Sequence, residues 1–121
     1  MPIKGIEQPE YIEIDKEIRL RKYDGKYDFA FEWYQDTDTL WMLDGDKEPY
    51  TLELLDKMYT WWNQAGEVYF IEVFEDEIYK SIGDVSFKQD DMPILIGDKN
   101  YRKKGIATKV IRKLIERGKE L

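Results

Sequence analysis

Apolar and polar positions alternate with period two over residues 11–23, in two runs: Ile12 and Ile14, then Ile18 and Leu20. That alternation predicts a half-buried strand with a kink or turn at Asp15-Lys16-Glu17. Asp24-Gly25 marks a turn. Over 27–35 the spacing changes, and Phe29, Ala30, Trp33 and Tyr34 fall on one face of a predicted short helix. Residues 36–50 read as a loop, with Asp44-Gly45-Asp46, Pro49 and an apolar island, Leu40-Trp41-Met42-Leu43. Such an island either tucks onto the core or lines a substrate slot. Thr51 has the position of an N-cap and Glu53 that of a first-turn acid. Leu52, Leu55, Met58, Tyr59 and Trp62 then repeat at helical spacing to about Ala65, and Gly66 ends the helix.

Residues 67–75 are nearly continuous in β-favouring apolar types, the mark of a central strand covered on both faces. Asp76-Glu77 turns the chain into a partner strand at 78–88, where Val85 and Phe87 alternate and Gly83 suggests a bulge or close approach. Gln89-Asp90-Asp91 forms the next turn. The stretch 92–117 then gives a short buried strand (Ile94, Leu95, Ile96), a basic turn (Arg102-Lys103-Lys104-Gly105-Ile106-Ala107) and an amphipathic helix carrying Ile106, Val110, Ile111, Leu114 and Ile115. The predicted order is strand, helix, helix, three strands, helix, an α+β arrangement in one domain spanning 1–121.

With 42% hydrophobic and 15% aromatic residues among 121, the chain can bury a core. No stretch approaches the roughly 20 apolar residues of a membrane span. The N-terminal residues hold no apolar run, so no secretory signal and no membrane partner are expected, and a cytoplasmic setting is. Cysteine and histidine are both absent, which removes disulfides, thiol nucleophiles, histidine triads and histidine metal sites. Charge is unevenly spread. Residues 99–121 hold nine Lys and Arg against two acids, net +7, while 1–98 hold ten against 24, net −14. The basic end suits a polyanion and the acidic remainder a cation, although two solvated faces would give the same count.

A strand leading through a glycine turn into a helix start makes an anion site. The first N–H groups of a helix lack internal partners, the dipole is positive there, and glycine lets the backbone approach a phosphate closely. Arg102-x-x-Gly105-x-Ala107, with a strand before and a helix after, resembles the acetyl-CoA signature of the GCN5-related N-acetyltransferase (GNAT) family. Arg19-Leu20-Arg21, a turn and a short helix ending in Trp33-x-x-Asp36 are similar to the opening of the family's ribosomal-protein and aminoglycoside branches. The resemblance implies a mostly antiparallel sheet flanked by helices. It also implies that the chain stops just after the cofactor helix, so that the closing part of the family's domain is missing. A fragment, itself inactive, is the expectation, with an exposed edge on the strand at 94–96 that invites a second copy.

The resemblance further implies transfer of an acetyl group from acetyl-CoA to a primary amine by direct attack in a ternary complex, without a metal. Main-chain groups of Ile94, Leu95 and Ile96 would pair with the pantetheine arm. Arg102, Lys103, Lys104, Gly105, Ile106, Ala107 and Thr108 would hold the pyrophosphate. The proton of the amine needs an acceptor, for which Asp91 stands first, Glu72 second and Asp84 third. No general acid is assigned. The amine is a small cation such as an aminoglycoside or polyamine, or a protein N-terminus; Trp41, Trp61 and Trp62 suit a cation. Two alternatives stay open: a non-catalytic module binding an anion or nucleic acid, which the acidic remainder disfavours, and a degenerate acetyltransferase fold that binds CoA without turnover.

Overall fold

The computed structural model describes residues 7–36, 50–87, 92–102 and 104–120. Five strands form one sheet in the order β1-β2-β3-β4-β5, each antiparallel to its neighbour: β1 Tyr11–Glu13, β2 Ile18–Lys22, β3 Glu67–Glu75, β4 Ile78–Phe87 and β5 Ile94–Ile96. Two α-helices flank it, α1 Leu52–Ala65 and α2 Ile106–Glu120. The fold is α+β, with an open antiparallel sheet.

The two alternating runs of 11–23 are the two arms of a hairpin. Asp15 makes the turn: its Oδ1 accepts from Glu17 N and Ile18 N at 2.8 and 2.9 Å. Residues 28–34 form a 3₁₀ helix rather than the α-helix their spacing predicts. Ala30 N donates to Tyr27 O and Gln35 N to Glu32 O, both i to i+3. Aromatic side chains dominate this stretch, and they have low helix propensity and crowd the preceding turn; the tighter winding places Ala30, Trp33 and Tyr34 inward but leaves Phe29, expected on the same face, exposed. The ends of the following loop meet, with Tyr50 N donating to Tyr34 O and Gln35 Nε2 to Tyr50 O. The apolar island at 40–43 lies outside the described residues.

α1 begins where its sequence says. Thr51 Oγ1 accepts from Leu54 N at 3.0 Å, and Gly66 closes the helix with its N–H on Trp62 O. Trp61 and Trp62 belong to this helix; Trp61 is exposed, while Trp62 packs edge-on against Tyr59.

β3 is buried on both faces, as its apolar run predicts. Tyr69, Ile71 and Val73 face α2 with Ile106, Val110 and Leu114; Val68 and Phe70 face the 3₁₀ helix and α1 with Tyr34, Leu55 and Tyr59. Gly83 meets both expectations placed on it. The register with β3 slips between Ile71 and Glu72, pairing them with Gly83 and Ser81, so that Ile82 is the extra residue and joins the α2 face. An added Cβ at Gly83 would land on Leu95 O of β5.

Candidate functional site

The candidate site is the β5 edge and the turn beyond it. β4 and β5 pair Asp84 with Leu95 and Val85 with Ile94, and Ser86 N donates to Pro93 O at 2.9 Å. Antiparallel ladders alternate between bonded and non-bonded pairs. Ser86 with Pro93 is a bonded pair, so Asp84 with Leu95 is the next one, and Leu95 turns its N–H and C=O inward. Of the three residues expected to pair with a pantetheine arm, Leu95 is therefore engaged in the ladder. Ile94 and Ile96 carry the outward groups, and no strand lies beyond β5 among the described residues.

The turn after β5 is braced from several sides. Asp98 N donates to Ile82 O, Asp98 Oδ1 accepts from Asn100 N, and Lys80 Nζ sits 3.0 Å from Asp98 Oδ2. Burial would raise the Asp98 carboxyl, but Lys80, Asn100 N–H and the charge of Arg102 outweigh it and hold it below the usual carboxylate range. Tyr101 is buried and donates its hydroxyl to Glu75 Oε2 at 2.6 Å, which pins the turn to the end of β3. Arg102 Nε donates to Ile96 O at 2.8 Å. That contact makes Arg102 a buttress of the strand end, where the resemblance implied a pyrophosphate contact.

Gly105 has φ +77°, and an added Cβ there would meet nothing within 4 Å. The left-handed conformation is what glycine permits and other residues resist. Lys109 N donates to Gly105 O at 3.1 Å, the first i to i+4 bond of α2. The amides of Ile106, Ala107 and Thr108 come before it and have no acceptor within the helix. The Ile106 side chain is in the core, so only its main chain can serve a ligand; Thr108 is exposed and Ala107 half-buried. Lys104 is exposed, with Nζ 5.6 Å from the centre of the Tyr101 ring. Lys103 lies outside the described residues.

The proposed proton acceptors separate clearly. Asp91 lies outside the described residues. Glu72 stands on β3, two strands from β5, and both its oxygens are taken: Arg19 Nε and Arg21 Nε each donate at 2.8 Å. With a guanidinium on each oxygen it serves the sheet, not an amine. Arg19 is in turn sandwiched between the rings of Tyr11 and Tyr79, at 4.3 and 3.5 Å from their centres.

Asp84 is different. It is fully buried under the 3₁₀ helix and α1, and the Tyr34 and Tyr59 hydroxyls both donate to its Oδ2, at 2.8 and 2.6 Å. Burial lifts its carboxyl from 3.8 to about 6, against the pull of those two hydroxyls. Burial and the carboxylate likewise push Tyr34 and Tyr59 far up. Sequence reasoning placed Asp84 third and found neither tyrosine. The available signal was the pair Asp84 and Ser86 alternating with Val85 and Phe87: on a strand beside a doubly covered one, the polar face can be covered too.

Among the described residues no group of side chains could hold a metal ion, and no helix is long and apolar enough to cross a membrane. No protein-family model and no curated protein matches the chain. A crystal structure of a domain from Methanocaldococcus jannaschii DSM 2661 is similar to it, with a TM-score of 0.71 at 21% identity, over 88% of this chain and 72% of that one. At that identity the likeness is one of fold.

Proposed function

We propose that the chain supplies the acetyl-CoA-binding site of a GNAT-type N-acetyltransferase whose acceptor is a primary amine. The observation that carries the reading is Gly105. It is a left-handed glycine with open space before it, set between an edge strand and the first amides of a basic helix, inside Arg102-x-x-Gly105-x-Ala107. That arrangement offers convergent N–H donors to a diphosphate. Next to it, the main chain of Ile94 and the N–H of Ile96 are offered to the amide-bearing pantetheine arm in the manner of an added strand, while the Ile96 carbonyl is held by Arg102. An outward N–H on this edge could also polarise the thioester carbonyl, a contact worth about 3 kcal/mol in comparable sites. The setting we propose is the cytoplasm. A second copy of the chain would compete for the same edge.

Calorimetric titration of acetyl-CoA against the wild-type chain, Gly105→Ala and Gly105→Glu tests this reading. Alanine adds only backbone strain, whereas glutamate also projects a negative charge into the open space. Binding by the wild type, weakened in the alanine variant and abolished in the glutamate variant, is expected. No binding by the wild type, or equal binding by all three, removes the proposal.

A further inference from the structure

A cleft of about 300 Å³ opens where the β1–β2 turn, the end of β3 and the start of α2 come together. It is a different place from the β5 edge: Ile94, Leu95, Ile96 and Gly105 do not line it. Ile18 of β2, Val73 of β3 and Ile106 of α2 form its floor, the last accessible surface of the core between the sheet and α2. Glu17, Glu75, Lys104 and Lys109 stand around that floor. The floor is apolar and the rim carries two charges of each sign. One of the four is spent, since Lys109 Nζ lies 3.0 Å from Asp15 Oδ2. The other three keep capacity. Glu75 Oε2 accepts from the Tyr101 hydroxyl at 2.6 Å, and its Oε1 takes no donor among the described residues. Lys104 Nζ stands 5.6 Å from the centre of the same ring. Lys104 and Glu17 are both exposed, and neither has an oppositely charged partner among the described residues. Tyr101 thus sits between an anion and a cation that no ion pair joins.

We infer that this cleft binds a free aliphatic amino acid, with its side chain on the Ile18, Val73 and Ile106 floor, its carboxylate on Lys104 and its ammonium on Glu17 and Glu75. The sign pattern selects a zwitterion. A simple anion meets two carboxylates as well as the lysine, and a simple cation meets the lysine as well as the carboxylates. A molecule with both charges on one carbon satisfies both, through charge-assisted hydrogen bonds that are stronger than neutral ones. Its aliphatic branch then covers the floor and removes it from water. Size points the same way. Small-ligand sites run from about 300 to 1,000 Å³, and a cleft at the bottom of that range holds an amino acid but not a nucleotide. The site stands by itself, whatever the turn at Gly105 binds.

Methyl NMR of Ile18, Val73 and Ile106 in the full chain reads the floor directly. Leucine is titrated beside isocaproate, which lacks the ammonium, and isoamylamine, which lacks the carboxylate. Saturable shifts of these methyl groups are expected with leucine, and roughly tenfold weaker binding with either analogue, because each forfeits one charge-assisted contact. That comparison needs no variant. Lys104→Gln and Glu17→Gln, changes at exposed side chains, are each expected to weaken leucine binding roughly tenfold as well. No shift with leucine, or equal shifts with all three compounds, as for nonspecific apolar contact, overturns the inference. Leucine affinity unchanged in both variants overturns it too.

Discussion

Arg117 of α2 meets Glu67 of β3 edge to edge, with Nε 2.8 Å from Oε1 and Nη2 2.7 Å from Oε2. Tyr69 adds its hydroxyl to the same Oε1 at 2.7 Å. Glu67 is fully buried, so this fork fastens the last turns of α2 to the start of β3. Removing one partner leaves the other charge buried and unpaired. Arg117→Ala is expected to cost about 3–5 kcal/mol in urea unfolding. A double variant, Arg117→Leu with Glu67→Met, is expected to recover most of that loss, because neither charge then remains to be desolvated.

Asp84 makes stability depend on pH in the direction opposite to most carboxylates. Its folded value, about 6, lies above the 3.8 of an ordinary aspartate. Its contribution is therefore fully present below about pH 3.8 and is lost as pH rises through about 6. By neutral pH the loss amounts to roughly 3 kcal/mol. Asp84→Asn has no proton to lose. It is expected to exceed the wild type in urea midpoint at pH 7, with the gap closing as pH falls from 6 to 4. A gap that stays constant across that window would exclude a titrating Asp84. Asp98, held below its usual value, acts in the ordinary sense and weakens the fold as pH falls through its folded value.

Gly83 should be intolerant of any side chain. An added methyl meets Leu95 O, a backbone atom on the neighbouring strand, so relief requires β5 to move away. Overpacking of this kind costs about 1–3 kcal/mol. The expected signature of Gly83→Ala is local: the amides of Ser86 and Leu95, which hold β5 to β4, should exchange with solvent faster, while those of β2 and β3 keep their protection.

The β3–β4 hairpin carries a reservoir of stability. Asp76 and Glu77 both sit at positive φ, 53° and 66°, the conformation of a two-residue I′ turn whose twist matches the strands. Neither is glycine. Glu77→Gly is expected to raise the thermal midpoint, by up to about 1 kcal/mol in stability, since it removes left-handed strain at an exposed turn.

Legibility followed from how local the cause was. Thr51 and Gly66 bounded α1 correctly because a cap is chemistry within four residues. The doubly buried β3 was readable from its apolar run, and the Gly83 irregularity from the glycine itself. The 3₁₀ winding at 28–34 was missed because periods of 3.0 and 3.6 share Ala30, Trp33 and Tyr34 as inward residues over so short a run, and only Phe29 tells them apart. The long-range pairings were invisible. Glu67 meets Arg117 fifty residues away, Glu72 is held by two arginines from β2, and Asp84 meets tyrosines from two separate segments. A lone acid in a strand carries no mark of its partner. The main-chain roles along β5 were half readable: three residues suggested an edge, but only the ladder register shows that Leu95 points its amide and carbonyl inward.

Trp33 supplies an optical consequence. Its indole lies against Gly97, immediately after the last residue of β5, where any larger residue would collide with the ring. Only 8% of it is accessible, against 58% for Trp61 on the outer side of α1. With Trp41, Trp61 and Trp62 replaced by phenylalanine, the blue-shifted emission of the sheltered indole is read by itself. Anything that docks along the strand ending beside it alters its surroundings, so the chain carries its own fluorophore for following occupancy of that edge without a label.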